Sequence, residues 1–215
     1  MLAIFLFEVK YYIRNTKELI QFIGLYFSVI FFLSLGISSN FDYYHNVNHL
    51  ISSIALIVSV NISIIGLFQR DGDSGRLDYY QLADVALEGV VLAKWAAYAL
   101  CVLLPLLIAL PFTALLMRIP PTQWLHYGVG TAGAVVALSI LGALSAAMLT
   151  GLDKAGATLS LMTLPLTIPV LIFTSSYLAS SGEIFSTNLF FILGFIAFML
   201  PILCFAGASC IRSSN

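Results

Sequence analysis

Charged residues cut the chain into six long uncharged stretches, at 19–41, 43–69, 95–117, 119–152, 155–182 and 184–211. Hydrocarbon about 30 Å thick is crossed by about 20 helical residues, so each stretch can span a bilayer. Strands of an outer-membrane barrel would instead show alternating polarity in segments of about ten residues, and no such alternation persists. The pattern therefore predicts helical spans at about 19–40, 50–69, 92–117, 124–151, 156–180 and 187–210, in one membrane domain covering 1–215. Ahead of them, 1–15 reads as an interfacial helix. Lys10, Arg14 and Lys17 recur at helical spacing, while Ile4, Phe5, Phe7 and Tyr11 can dip into the acyl boundary. Asn15 followed by Glu18 has helix-start character, so the chain is expected to turn near Asn15 from the membrane surface into the first span. The alternative is a first span that simply begins earlier.

Composition strengthens this picture. Hydrophobic residues make up 60% of the 215 and charged residues 9%, against about 45–50% and about 25% in soluble domains. The longest polar stretch, about 70–91, is too short to bury a core of its own, so no soluble catalytic domain is expected. The net charge of −1 gives no reason to expect nucleic-acid binding. Lys and Arg mark the cytoplasmic side. With the N-terminus inside, Lys10, Arg14, Lys17, Arg70, Arg76, Lys94, Lys154 and Arg212 are cytoplasmic and only Arg118 is outside. That split favours an even number of spans with both termini in the cytoplasm. The outer loops are short and hold Asp42, Arg118 and Glu183. The apolar start is not read as a cleavable signal, because Glu8, Lys10, Arg14 and Lys17 follow it without a small-residue cleavage site.

Chemistry concentrates in the inner segment between spans 2 and 3, FQRDGDSGRLDYYQL at 68–82, which continues to VLAK at 91–94. Asp71, Asp73, Asp78, Asp84 and Glu88, half of all acidic residues, alternate there with Leu77, Leu82, Val85 and Leu87, as in a short amphipathic helix outside the bilayer. Gly72 and Gly75 permit a sharp turn before it. Such an element is a docking surface whose apolar residues enter a partner's groove while its charges set the register. The competing reading is a solvated loop, which needs neither Leu77 and Leu82 nor the Tyr79–Tyr80 pair. In span 5, LPLTIPVLIF at 164–173 places Pro165 and Pro169 mid-helix, each removing a backbone bond. In lipid the freed carbonyls need local partners, so the segment is expected to be kinked and packed against protein, with Thr163 and Thr167 as candidate donors. A moving hinge and a static kink remain equally open. Pro105, Pro111 and Pro201 repeat the signal more weakly, and Gly128, Gly130, Gly133 and Gly142 give span 4 a small-residue face for close packing.

No charge lies deep inside a predicted span, which disfavours a proton- or ion-coupled transporter. A phosphate-binding glycine loop with its lysine is missing, so ATP hydrolysis is not expected of this chain. No Ser-His protease arrangement is expected either. Cys101, Cys204 and Cys210 have no metal or redox spacing and read as small buried hydrophobes. His45, His49 and His126 fall on the outer side. The i, i+4 pair of His45 and His49 suits haem or metal ligation, but all three are read as ordinary polar residues of outer loops.

With Leu67, Phe68, Asp71, Gly75, Leu77 and Asp78 followed by Val91 to Lys94, and with the proline motif at 164–173, the chain resembles the haem exporter B family, also called cytochrome c maturation protein B. Length, six spans and orientation agree over the whole chain. Ser74 stands where many members carry an acidic residue, and 83–86 lack prolines often found there. Both departures bear on the geometry of the docking contact. The resemblance implies an all-α, ABC-2-like permease of the bacterial inner membrane with no cofactor of its own and haem as the handled molecule. Its implied partners are an ATP-binding subunit, a haem-handling membrane protein, a small accessory membrane protein and a haem chaperone. Phe68, Asp71, Gly75, Leu77, Asp78 and Leu82 are then the ATPase-docking residues of a cytoplasmic coupling helix, and Pro165 and Pro169 the hinge. An ABC-2-type exporter permease for another substrate, and a scaffold with no moving part, are the alternatives.

Overall fold

A computed structural model describes residues 2–36, 41–73, 75–76, 86–148, 155–180 and 184–213, and every regular element among them is helical. In chain order these are α1 (Leu2–Arg14), α2 (Lys17–Gly36), α3 (Phe41–Ser63), α4 (Gly66–Asp73), α5 (Leu87–Leu116), α6 (Trp124–Met148), α7 (Ala155–Ala179) and α8 (Thr187–Ser213). Leu77, Asp78 and Leu82, with Ser74, Tyr79, Tyr80, Asp84, Val85, Asp153, Lys154 and Glu183, lie outside the described residues. Gly72 falls inside α4 and not in a turn, whereas Gly75 turns the chain with φ +68°, a conformation open to a residue without Cβ.

Among the described residues, four helical stretches are long and apolar enough to cross a membrane: Val47–Phe68, Leu87–Leu116, Pro121–Met148 and Thr187–Arg212. Helices α1 and α2, bent by 62° at their junction, would make a fifth, and the apolar Pro165–Ala179 is shorter. The outward surface matches this. Ile108, Phe32, Phe198 and Phe205 are each more than 60% exposed, which water would not tolerate on this scale and acyl chains would.

The second predicted span, 50–69, is not one smooth helix. α3 begins earlier, at Phe41, and ends at Ser63, and the chain turns through Ile64–Ile65 before α4. The cause is local. Ser59 and Asn61 donate to the carbonyls of Ala55 and Ile57, and Ser63 donates to that of Val60. Such bonds compete with the helical ladder and loosen it just before Gly66. At the far end of α5, the amides of Arg118 and Ile119 close on the carbonyls of Leu115 and Ala114, a Schellman stop. Arg118 occupies the left-handed position with φ 54°, where glycine is usual.

Helix α6 is the hub, packing against α3, α5, α7 and α8. Its glycines serve several neighbours and not one face. A Cβ at Gly128 would meet Leu110 of α5 at 2.9 Å, one at Gly130 Tyr177 of α7 at 2.6 Å, one at Gly133 Ile192 of α8 at 3.3 Å, and one at Gly142 Ile64 at 2.8 Å. Close packing by small residues is what holds helices together where lipid removes the hydrophobic driving force between them. In α7, Pro165 and Pro169 are exposed and not packed against protein, while Thr163 and Thr167 are buried on the opposite side. Prolines on the outward face leave that face convex, so the helix can wrap the core.

Candidate functional site: a buried charge knot at one corner of the bundle

Helix α1 turns Glu8 and Tyr12 inward onto α5, and α4 turns Leu67, Phe68 and Asp71 inward beside them. Lys94 lies two turns inside α5 and is only 2% exposed. A lysine at that depth requires compensation, because an unpaired ammonium in low dielectric is costly. Its Nζ donates to Glu8 Oε1 at 2.7 Å and also pairs with Asp71 Oδ2. The second Asp71 oxygen meets Arg76 Nη1 at 3.3 Å, and the Arg76 guanidinium lies 5.5 Å from the Phe7 ring centre. Two carboxylates and two cations thus neutralise one another across three separate elements. Gly75 makes this possible by folding Arg76 back onto the end of α4.

The knot surrounds a small cavity of about 120 Å³ lined by Glu8, Tyr11, Tyr12, Leu67, Asp71, Arg76 and Lys94. Aromatic packing adjoins it, with the rings of Tyr12 and Tyr98 edge to face at 6.1 Å and the Tyr98 hydroxyl hydrogen-bonded to Ser63 at the break below α3. One turn before Tyr98 and next to Lys94, Trp95 Nε1 donates to Ser139 of α6 at 2.9 Å. Motion of α4 is therefore tied to α1 by charge, to α5 by the same charges, and to α3 through Tyr98.

Phe68 and Asp71, expected on the docking surface, face the chain's own interior, at 0% and 3% exposure. They form the root of the segment whose other predicted contacts, Leu77, Asp78 and Leu82, are outside the described residues. Neither Lys94 nor Glu8 was expected to join them. Lys94 was read as a cytoplasmic charge and as the end of the Val91–Lys94 motif, yet a cation set inside a 30-residue apolar helix demanded a carboxylate, and Asp71 and Glu8 were two of eight acidic residues expected on the same side.

A second polar layer sits at the opposite end of the bundle. The hydroxyls of Tyr26, Ser52 and Tyr127 join α2, α3 and α6, and Asn48 Nδ2 donates to the Met117 carbonyl at 2.7 Å. His126, expected in an outer loop, is instead a buried residue of α6. Its Nε2 donates to the Tyr177 carbonyl at 2.8 Å and its ring stacks on that of Tyr177 at 4.2 Å. His49 lies in α3, and the His45 side chain is not described. Cys101 is buried and Cys204 and Cys210 are half-buried, none of them in a disulfide. No cluster of His, Cys, Asp or Glu among the described residues has the makings of a metal site.

The family model described as "CcmB protein" matches residues 1–214. This chain belongs to the CcmB family. Among relatives that carry the name Heme exporter protein B, the protein of Pseudomonas aeruginosa is 30% identical over 213 residues, covering 96% of this chain and 94% of its own length. That of Haemophilus influenzae is 32% identical over 175 residues, 81% of this chain and 79% of its own. The protein of Rhodobacter capsulatus is 31% identical over 161 residues, 74% of each. Membership over almost the whole length, together with the apolar helices, makes this CcmB chain a multi-pass membrane protein.

Proposed function

We propose that this CcmB chain is the permease subunit of an ABC-type complex for cytochrome c maturation, coupling ATP hydrolysis by a separate subunit to haem handling or to release of a haem-loaded chaperone. The name its relatives carry supports haem as the handled molecule. The observation that carries the coupling half is the Lys94 knot, which binds the root of the inner segment to two other helices by desolvated charge.

In this reading the chain crosses the inner membrane six times with both termini in the cytoplasm, on the basis that eight of nine basic residues fall on one side. The coupling helix lies beyond Gly75 and presents Leu77, Asp78 and Leu82 to the ATP-binding subunit, with Phe68 and Asp71 as its anchor. Nucleotide-driven closure of that subunit displaces the segment. Separating Asp71 from Lys94 would strand charges out of water, so α5 follows as a rigid body and α1 follows through Glu8. Helix α5 then carries the displacement through Pro105 and Pro111 towards the Asn48–Tyr127 layer, and α7 accommodates it at Pro165 and Pro169. The chain itself is not an enzyme. A haem-handling membrane protein, a small accessory membrane protein and a haem chaperone complete the assembly.

Affinity purification from membranes, with identification of the co-purifying chains, tests the partnership. An ATPase and haem-assembly proteins are the expected companions. Replacing Leu77 or Asp78 should then abolish partner-stimulated ATPase activity and c-type cytochrome formation while leaving insertion intact. Normal cytochrome assembly in both variants would contradict the proposal.

A further inference from the structure

Helix α1 has a second face that the charge knot leaves unused. Glu8, its one acidic residue, is turned inward and neutralised by Lys94, so the charges left outside, Lys10 and Arg14, are both positive. Both are exposed, four residues apart and hence one above the other on the helix, and neither has a carboxylate partner within 4 Å among the described residues. They line a cleft of about 530 Å³ together with Phe7, Tyr11 and Asn15. Its polar wall is organised, since Asn15 Nδ2 donates to the Tyr11 hydroxyl at 2.7 Å.

The height of the cleft in the membrane follows from its neighbours. Leu2, Leu6 and Ile13 of the same helix are each more than half exposed, which marks them as the edge that enters the acyl region. At Asn15 the chain bends by 62° and α2 begins at Lys17 as an apolar helix, adding the positive end of its dipole beside the cleft. A basic cleft on the rim of an exposed apolar edge, at an elbow between surface and span, lies at the level of lipid phosphates.

We infer that the Lys10–Arg14 cleft is a binding site for the phosphodiester headgroup of an anionic phospholipid. Arg14 can offer two parallel donors to phosphate oxygens and Lys10 a point charge, with the Phe7 and Tyr11 rings flanking the glycerol. The shared chemistry is a phosphate anion, and the lipid is the source that also satisfies the apolar edge. A bound lipid would brace the elbow directly behind the Lys94 knot, because Tyr11 lines both cavities. This inference needs the membrane embedding of the chain but not its coupling to an ATPase, so the two can fail separately.

Native mass spectrometry of the full-length chain in detergent provides the test, with titration by phosphatidylglycerol, phosphatidylcholine and, at matched ionic strength, inorganic phosphate. Phosphatidylglycerol should bind in preference to phosphatidylcholine, and Lys10→Gln/Arg14→Gln should weaken it roughly thirtyfold, from about 1 kcal/mol for each cation near an anionic surface. Lys17→Gln removes the same charge outside the cleft and should leave binding within about twofold, which separates a site from general attraction. Inorganic phosphate should not displace the lipid. Equal retention of phosphatidylglycerol by the double variant, equal binding of both lipids, or displacement by inorganic phosphate would overturn the inference. So would crosslinks from positions 10 and 14 that reach an associated protein and no lipid.

Discussion

Replacing Lys94 with methionine removes the shared cation of the knot and leaves two carboxylates facing a 120 Å³ cavity. Asp71 keeps Arg76 at 3.3 Å, whereas Glu8, 5% exposed, keeps no cation among the described residues. Breaking a buried pair by removing one partner costs about 3–5 kcal/mol, against about 0–1 kcal/mol for a surface pair. For a chain of this size that is a fall in unfolding temperature on the order of 10 °C. Neutralising the group as a whole has a different sign. Glu8→Gln/Asp71→Asn/Lys94→Met leaves no uncompensated charge in the knot except Arg76, which is 43% exposed on its side chain and reaches water. That variant is expected within about 1 kcal/mol of the parent. Thermal unfolding in detergent, followed by size-exclusion fluorescence, gives both values, and a Glu8–Lys94 double-mutant cycle isolates the pair. A coupling energy of about 2 kcal/mol or more is the expected result. A Lys94→Met variant as stable as the parent, or strictly additive single changes, would refute the reasoning. The triple variant then separates structure from work. Normal stability with lost ATPase coupling would assign the charges to force transmission, and retained coupling would make them structural only.

The remaining expectations concern packing and motion. Gly130→Ala should cost about 1–3 kcal/mol in thermal unfolding, since its Cβ would meet Tyr177 at 2.6 Å and Leu178 at 2.8 Å, whereas Gly194→Ala, with nothing within 4 Å, should be neutral or slightly stabilising. Pro165→Ala/Pro169→Ala restores two backbone donors and should raise the unfolding temperature while lowering cytochrome c assembly; assembly at the parental level would make the prolines a static curve. Tyr98→Phe removes one of two hydrogen bonds of Ser63, keeping that to the Val60 carbonyl, and should cost about 0.5–1.5 kcal/mol, read in the same unfolding assay.

The apolar pattern made the helices legible because burial in lipid imposes one requirement on every residue of a span. The expected 187–210 and 124–151 correspond to the helices Thr187–Ser213 and Trp124–Met148, and the helix expected at 1–15 to Leu2–Arg14. Where side chains act on their own backbone, the pattern was a poorer guide, and the Ser59, Asn61 and Ser63 bonds broke a helix that hydropathy draws as continuous. The partners of buried polar groups were not legible at all. Lys94 and Glu8 are 86 positions apart, and Asn48 meets Met117 across 69, separations that no local spacing encodes. Span 4 was rightly read as a packing helix, but the directions of its glycines depend on which helices surround it. His126 was placed in a loop because polarity alone was weighed, and its carbonyl partner at Tyr177 lies on another helix.

Coupling as proposed requires the segment beyond Gly75 to face the cytoplasm and meet an ATP-binding subunit. The direct measurement is crosslinking from Gln81→Cys, beside the proposed docking residues, in a chain whose Cys101, Cys204 and Cys210 are replaced by serine, in inner-membrane vesicles of known sidedness. The expected result is an adduct with the ATP-binding subunit, and labelling by a membrane-impermeant maleimide only from the cytoplasmic side. Labelling from the outer face of intact cells, with no adduct to an ATPase, would contradict it.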